Sequence, residues 1–252
     1  MIEIHNQDCL IGMKKLEDNK FDMIFTDPPF NTAFDKETEK RMVWRNSKIN
    51  KLITADWDKF TDEEFLEFNK KWLTECFRLL RPKGTLAVFN FWKNIPEFIL
   101  MAEEIGFKRE DLVTWFKPNA PLGFPNTLIR SCEYVLMFNK PSQNSSYKRF
   151  IKRGYLMRNC IVKPITSTKE RKKGNHHPTQ KPISIIEMFL KKYTEEGNWI
   201  LDPFLGSATT AVACQRMNRN CVGFEKDKGY YETSLKRIEI EKSQKGLKEW
   251  LS

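Results

Sequence analysis

The sequence predicts an α/β fold: a doubly wound, mostly parallel Rossmann-like sheet with an antiparallel edge strand. Three observations carry this prediction. Short continuous apolar runs of strand length recur at Met23-Ile24-Phe25, Thr85-Leu86-Ala87-Val88-Phe89, Trp199-Ile200-Leu201 and Cys221-Val222-Gly223-Phe224. Runs without polar alternation suit strands covered on both faces. Each lies beside a stretch of helical periodicity, the pattern of βα units. With 252 residues, 40% of them hydrophobic, the chain can bury one sizeable core, so a single domain over 1–252 carrying an insertion is expected.

In order along the chain, Ile2 to His5 reads as a first strand, leading to Asp8-Cys9-Leu10. Met23 to Phe25 runs into Asp27-Pro28-Pro29-Phe30. The stretch 31–60 has little periodicity, and segments that long inside a domain are usually mobile or functional. Thr61 and Glu64 form a capping box opening a helix through Phe65, Phe68, Trp72, Cys76 and Leu79, which Pro82-Lys83-Gly84 should stop. A strand over Thr85 to Phe89 precedes a helix over Ile95 to Ile105, and Leu112 to Phe116 and Glu133 to Phe138 read as antiparallel edge strands. Helices over Ile183 to Tyr193, Thr209 to Met217 and Tyr230 to Glu241 flank the last two strands.

The charge is unevenly spread. The net charge is +10 with a pI near 9.2, which favours a polyanionic partner. The segment 142–175 holds Lys148, Arg149, Lys152, Arg153, Arg158, Lys163, Lys169, Arg171, Lys172 and Lys173 against one acid, Glu170. Tyr147, Phe150 and Tyr155 interleave with them, as on a surface that meets phosphates and bases; a solvated loop is the alternative. Six scattered cysteines without a C-x-x-C pair, and histidines only at His5, His176 and His177, favour neither zinc nor disulfides, so no metal is expected. The beginning has no basic segment followed by an apolar one, and no run reaches transmembrane length. The expectation is a reduced, cytoplasmic protein without a membrane partner.

Two acidic tetrapeptides, Asp27-Pro28-Pro29-Phe30 and Asp202-Pro203-Phe204-Leu205, each follow a strand. In a doubly wound sheet ligands bind beyond the strands' carboxyl ends, so both aspartates should face one crevice; either alone could be a simple turn. Gly206-Ser207-Ala208-Thr209-Thr210 then opens a helix, where backbone N–H groups suit a carboxylate or phosphate. Glu225, about twenty residues beyond the glycine, ends a strand where an acid can hold ribose hydroxyls. A nucleoside-containing cofactor follows, while the missing G-x-G-x-x-G argues against NAD. Asp27-Pro28-Pro29-Phe30 supplies a different chemistry. An exocyclic amine on a base is a poor nucleophile because its lone pair is delocalised into the ring. The Asp27 carboxylate and Pro28 carbonyl can accept both amine hydrogens and localise that lone pair, and Phe30 offers a stacking face for a flipped base.

In these motifs and their order the chain resembles the β-class amino DNA methyltransferases of restriction-modification systems. They carry the catalytic motif first, the target-recognition region next and cofactor motifs last. Here Asp27-Pro28-Pro29-Phe30, the basic segment, His177-Pro178-Thr179-Gln180-Lys181-Pro182 and Asp202-Pro203-Phe204-Leu205-Gly206-Ser207 follow that order over essentially the whole chain. The resemblance implies a methyltransferase sheet, S-adenosylmethionine as cofactor and double-stranded DNA as partner. It makes 142–175 the target-recognition segment, with Lys148, Arg149, Lys152, Arg153, Arg158, Arg171, Lys172 and Lys173 contacting DNA. Asp8 and Cys9 match the adenine-binding element, and Thr179 and Lys181 match residues near the methionine carboxylate. Asp202, Phe204, Gly206, Ser207 and Thr209 match the cofactor loop, and Glu225 the ribose acid. Phe204 either packs near the sulfonium or is a plain core ring. The family usually has glycine where Ala208 stands, so either φ is below zero there or cofactor affinity is weakened. Aspartate at position 27 resembles the adenine-N6 form of the motif, whereas cytosine-N4 enzymes more often begin it with serine. Trp57 either helps close over the base or is a buried anchor. A cognate restriction endonuclease and a homodimer are further partners the family allows.

The function expected is site-specific DNA adenine-N6 methylation. The alternatives are a cytosine-N4 DNA enzyme, an RNA methyltransferase, or a catalytically silent nucleic-acid-binding module on the same scaffold.

Overall fold

The computed structural model describes residues 1–31, 60–120, 128–144, 146, 149–166 and 180–251. Eight strands form one sheet: β1 (Ile2–His5), β2 (Phe21–Thr26), β3 (Leu80–Asn90), β4 (Lys108–Phe116), β5 (Cys132–Asn139), β6 (Cys160–Val162), β7 (Trp199–Asp202) and β8 (Asn220–Phe224). Among the described residues six α-helices accompany them: α1 (Cys9–Met13), α2 (Asp62–Leu79), α3 (Ile95–Ile105), α4 (Ile183–Tyr193), α5 (Thr209–Arg216) and α6 (Lys228–Leu251). The order across the sheet is β1-β8-β7-β2-β3-β5-β4-β6. β1 through β3 are mutually parallel along that order. The antiparallel component lies toward the expected side: β5 opposes both β3 and β4, and β6 pairs parallel to β4 outermost.

Alternate residues of the continuous apolar runs enter two different cores, which is why the runs show no polar face. Met23, Phe25, Ala87, Phe89, Val135 and Met137 pack with Ile185, Ile186, Phe189 and Val212 of α4 and α5. Ile24, Leu86, Val88, Leu136 and Phe138 pack on the other side with Trp72, Leu73, Cys76 and Phe98 of α2 and α3. The capping box forms as expected, Thr61 accepting from the Glu64 N–H at 3.2 Å and Glu64 from the Thr61 N–H at 2.9 Å.

Several elements differ from the sequence expectation. α2 stops at Leu79, three residues before Pro82, because Leu80 is already extended and pairs with Phe21. Pro82-Lys83-Gly84 instead lies within β3, with Lys83 left-handed at φ +62° and its N–H on the Lys140 carbonyl at 2.7 Å. α1 was not apparent from periodicity; Asp8 caps it by accepting from the Leu10 N–H at 2.8 Å. Glycine is required at position 12, where a Cβ would stand 2.1 Å from the Phe224 ring. The basic segment contributes the strand β6, and α6 extends beyond the expected helix at both ends. No described helix is long and apolar enough to cross a membrane.

The functional consequence lies between β7 and β2. The chain proceeds from β2 to β3 on one side and from β7 to β8 on the other, so these neighbours mark the switch point where a crevice opens beyond the carboxyl ends.

Candidate active site

Asp27 follows β2 and Asp202 ends β7, at that switch point. The Thr26 hydroxyl donates to Asp202 Oδ1 at 2.8 Å, and the Phe204 N–H donates to the same oxygen at 3.1 Å. Asp202 is 3% exposed; burial pushes its carboxyl up to about 6, against the Thr210 and Thr26 hydroxyls and the Phe204 N–H, which favour the anion. A cavity of about 210 Å³ opens here. It is lined by Asp8, Cys9, Asp27-Pro28-Pro29-Phe30, Lys181, Asp202, Phe204, Gly206, Ser207, Thr209 and Glu225. Every described residue expected in the catalytic motif or cofactor site therefore meets in one cleft. Thr179 lies outside the described residues.

The cofactor side is a tightly bonded turn. Gly206 is left-handed at φ +49° and donates its N–H to Glu225 Oε2 at 2.9 Å, while the Asp227 N–H reaches Glu225 Oε1 at 2.8 Å. Burial raises the Glu225 carboxyl despite these donors. Ala208 sits at φ +57°, which removes the option that alanine stands there because φ is negative. Ser207 and Thr209 hydroxyls lie 2.9 Å apart. Two residues of α6 that sequence reasoning missed brace the turn from behind. Ser234 donates to the Gly206 carbonyl at 2.7 Å, and Arg237, 3% exposed, donates to the Ser207 carbonyl at 2.5 Å and to the Thr209 hydroxyl at 3.1 Å. Phe204 lines the cleft while its ring meets Trp72 and Phe68 edge-on at 5.3 and 5.8 Å.

The catalytic side is organised by charge. Lys181 Nζ donates to Asp27 Oδ2 at 2.6 Å and lies 3.4 Å from Glu133 Oε2. The Phe89 and Phe30 rings are 4.9 and 5.6 Å from the ammonium. Burial alone would lower the Lys181 pKa, but Asp27 and Glu133 outweigh it and push it up to about 12. Burial likewise works against the Glu133 anion, and Lys181 and Lys117 overcome it so that its carboxyl lies below the usual value. Lys181 thus turns its charge to the catalytic motif, whereas its resemblance-based assignment was to the methionine carboxylate. The Asn94 amide fixes the motif's end by donating to the Phe30 carbonyl at 2.6 Å. Neither Glu133 nor Asn94 lies in a recognisable motif. Asn31 at φ +50° accepts from the Phe60 N–H at 3.1 Å.

Among the expected DNA-contacting residues, Lys152, Arg153 and Arg158 are exposed. Arg149 departs from expectation: it pairs with Glu110 of β4 and lies over the Tyr193 ring at 5.5 Å, with its side chain 19% exposed. Its two terminal nitrogens reach Glu110 and Thr85, which hold it as an internal brace. Lys148, Lys169, Arg171, Lys172 and Lys173, and Trp57 of the stretch after the catalytic motif, lie outside the described residues. Among the described residues no group of histidine, cysteine or acidic side chains could hold a metal ion.

The donor set fits S-adenosylmethionine. Two carboxylates, Asp8 and Glu225, line the cleft with the turn Gly206-Ser207 and aromatic faces from Phe204 and Tyr230. An adenosine with ribose hydroxyls, a sulfonium and an amino-acid end each finds complementary groups there. The Cys9 thiol, pushed up to about 12 by burial, is a neutral apolar contact and no nucleophile.

Comparison with known proteins agrees with this geometry. Residues 21–236 match the DNA methylase family. The chain is 31% identical over 249 residues to the type II methyltransferase M2.DpnII of Streptococcus pneumoniae, covering 96% of this chain and 90% of that protein. The crystal structure of the M1.HpyAVI–SAM complex superposes with a TM-score of 0.68 at 26% identity, covering 94% of this chain and 99% of that one. The PvuII DNA methyltransferase, described as cytosine-N4-specific, shares the fold, with a TM-score of 0.72 at 19% identity over 94% of this chain and 86% of that one. With Asp27-Pro28-Pro29-Phe30 ahead of the Gly206-Ser207 turn on a shared switch point, the chain belongs to the DNA methylase family, as a β-class amino methyltransferase of restriction-modification type that uses S-adenosylmethionine.

Proposed function

We propose that this enzyme methylates N6 of adenine at a specific site in double-stranded DNA, with the target base flipped into the cleft. The observation that carries the reading is Asp27 at the carboxyl end of β2, facing the same cavity as the cofactor turn. The bound cofactor supplies an electrophilic methyl group on a sulfonium. The chain's own residues do the rest. Asp27 and the Pro28 carbonyl accept the two amine hydrogens and localise the nitrogen lone pair, Phe30 stacks on the base, and Asp8, Glu225 and the Gly206 turn hold the cofactor. An anionic aspartate rather than serine at the head of the motif supports adenine over cytosine.

The domain reading is one permuted unit over 1–252 with target recognition in 142–175, where exposed Lys152, Arg153 and Arg158 support phosphate contact. A cognate endonuclease, a homodimer and a cytoplasmic location belong to the same reading and rest on the resemblance alone. The test is methylation-sensitive sequencing of DNA from cells expressing the chain, with nucleoside analysis of the product. N6-methyladenine at one defined sequence is expected; N4-methylcytosine, or methylated RNA with unmodified DNA, would overturn it.

A further inference from the structure

We propose that Glu133 is a positioning residue for methyl transfer, acting through Lys181: it takes over the Lys181 ammonium when the target amine arrives at Asp27. The inference rests on Asp27 being the amine acceptor.

The acceptor is engaged by an ammonium. Lys181 Nζ donates to Asp27 Oδ2 at 2.6 Å and lies 5.6 Å from the centre of the Phe30 ring, so an ammonium holds one oxygen of the acceptor beside the stacking face. A carboxylate held by an ammonium is a weaker acceptor for a second donor, so loosening this bond strengthens the pull of Asp27 on the amine hydrogen. The ammonium cannot simply be released, because the Lys181 side chain is 8% exposed and a buried charge without a partner is strongly unfavourable.

Glu133 answers that need. Its Oε2 lies 3.4 Å from the ammonium, just beyond hydrogen-bond length, and is buried without a hydrogen bond. Its Oε1 accepts from Lys117 at 2.9 Å, which fixes the carboxylate on β5. A shift of Lys181 Nζ by less than about an ångström would exchange a short bond to Asp27 for a short bond to Glu133, within the ordinary 2.7–2.9 Å range of charged hydrogen bonds. Glu133 is therefore the alternative counterion that lets Asp27 change partners while Lys181 stays buried and charged.

The test uses the full chain and a duplex carrying the site found by methylation sequencing, with 2-aminopurine beside the target adenine, whose own N6 amine is kept, to report base extrusion. Glu133→Gln should lower both the extrusion signal and the single-turnover methylation rate on unmodified duplex at least tenfold, with S-adenosylmethionine affinity within twofold of the parent. In the Lys181→Met background, where no ammonium needs a second partner, Glu133→Gln should change extrusion less than twofold. A structural role would cost the same in both backgrounds, and that result, or parent-like extrusion in Glu133→Gln alone, overturns the inference. Should Glu133→Gln fail to fold, Glu133→Asp, which draws the anion back by one methylene, should lower extrusion in the parent and change it less than twofold in the Lys181→Met background; an equal loss in both backgrounds overturns the inference. Asp27→Asn measured alongside separates the levels: a parent-like rate there defeats the amine-acceptor reading itself, whereas an impaired Asp27→Asn with uncoupled Glu133 and Lys181 defeats only this inference.

Discussion

The Thr26 hydroxyl donates to the Asp202 carboxylate at 2.8 Å, tying the carboxyl ends of β2 and β7 together at the sheet's switch point. Asp202 is held there at a cost, since burial raises its carboxyl from 3.8 to about 6. The folded state binds the proton more tightly than the unfolded chain, so the cost is absent below about pH 4, grows between the two values and is complete above pH 6. Asp202→Asn keeps an oxygen acceptor for Thr26 and the Phe204 N–H without the charge. It should stabilise the protein by about 1–3 kcal/mol at pH 8, with the gain vanishing near pH 4, while methylation falls. Denaturant unfolding of both proteins across pH checks this, and an Asn variant less stable at pH 8 would refute it.

Ala208 holds a left-handed backbone at the entrance to α5. An L-residue there costs about 1–2 kcal/mol, and glycine returns part of that through the entropy of the unfolded chain. Ala208→Gly should therefore raise stability by roughly 0.5–1 kcal/mol. With φ positive, the expectation left standing is that alanine weakens cofactor affinity, so Ala208→Gly should also tighten S-adenosylmethionine binding. Thermal melts with and without S-adenosylmethionine measure both, and a lower melting temperature would show that the alanine methyl packs too well to remove.

Glu225 receives the Gly206 and Asp227 N–H groups, so it shapes the turn as well as facing the cleft. Glu225→Ala should weaken S-adenosylmethionine binding by about 1.5–3 kcal/mol, the scale of a hydrogen bond to a charged group. Glu225→Gln retains one oxygen acceptor and should lose less. Calorimetric titration of folded variants decides it; undiminished affinity in the alanine variant would mean that the ribose is held elsewhere.

How much of this site was legible in the sequence depended on whether a residue's partner was local. Asp27 and Asp202 could be placed because each directly follows an apolar strand, and strand ends converge in a doubly wound sheet. The capping box was legible for the same reason, its two bonds spanning three residues. Arg237 and Glu133 act at a distance: Arg237 reaches a turn about thirty residues away, and Glu133 lies 48 positions from Lys181. A glutamate on an edge-type strand and an arginine on a charged helix look solvated until the fold buries them. Arg149 erred the other way, since its basic neighbourhood suggested DNA while Glu110, supplied by β4, claims it.

That distinction predicts different behaviour within the basic segment. Replacing exposed Lys152, Arg153 and Arg158 with alanine should lower DNA affinity and reduce the slope of log affinity against log salt by about 0.9 for each phosphate left unneutralised. Replacing Arg171, Lys172 and Lys173 should do the same. Arg149→Ala should instead destabilise the fold and leave the slope unchanged. Binding titrations over a salt series report this, and an unchanged slope in the exposed-residue variants would return the segment to a solvated loop.

Asp27 is the residue on which the chemical reading turns. A turn aspartate that merely begins Asp-Pro would tolerate asparagine, which keeps size and acceptor geometry. An acceptor that must stabilise positive charge developing on an amine nitrogen would not, because the amide replaces an anion with a weak dipole and presents N–H donors of its own. Lys181 sharpens the contrast, since asparagine would also deprive a buried ammonium of its nearest anion. Asp27→Ala should therefore lower the single-turnover rate about a hundredfold or more, and Asp27→Asn should be badly impaired as well. DNA and cofactor affinities should change much less, as the interaction is made chiefly in the transition state. Single-turnover methylation with separate binding titrations resolves these quantities. A folded Asp27→Asn protein that methylates near the parent rate would remove Asp27 from the chemistry and leave it only the role of a turn.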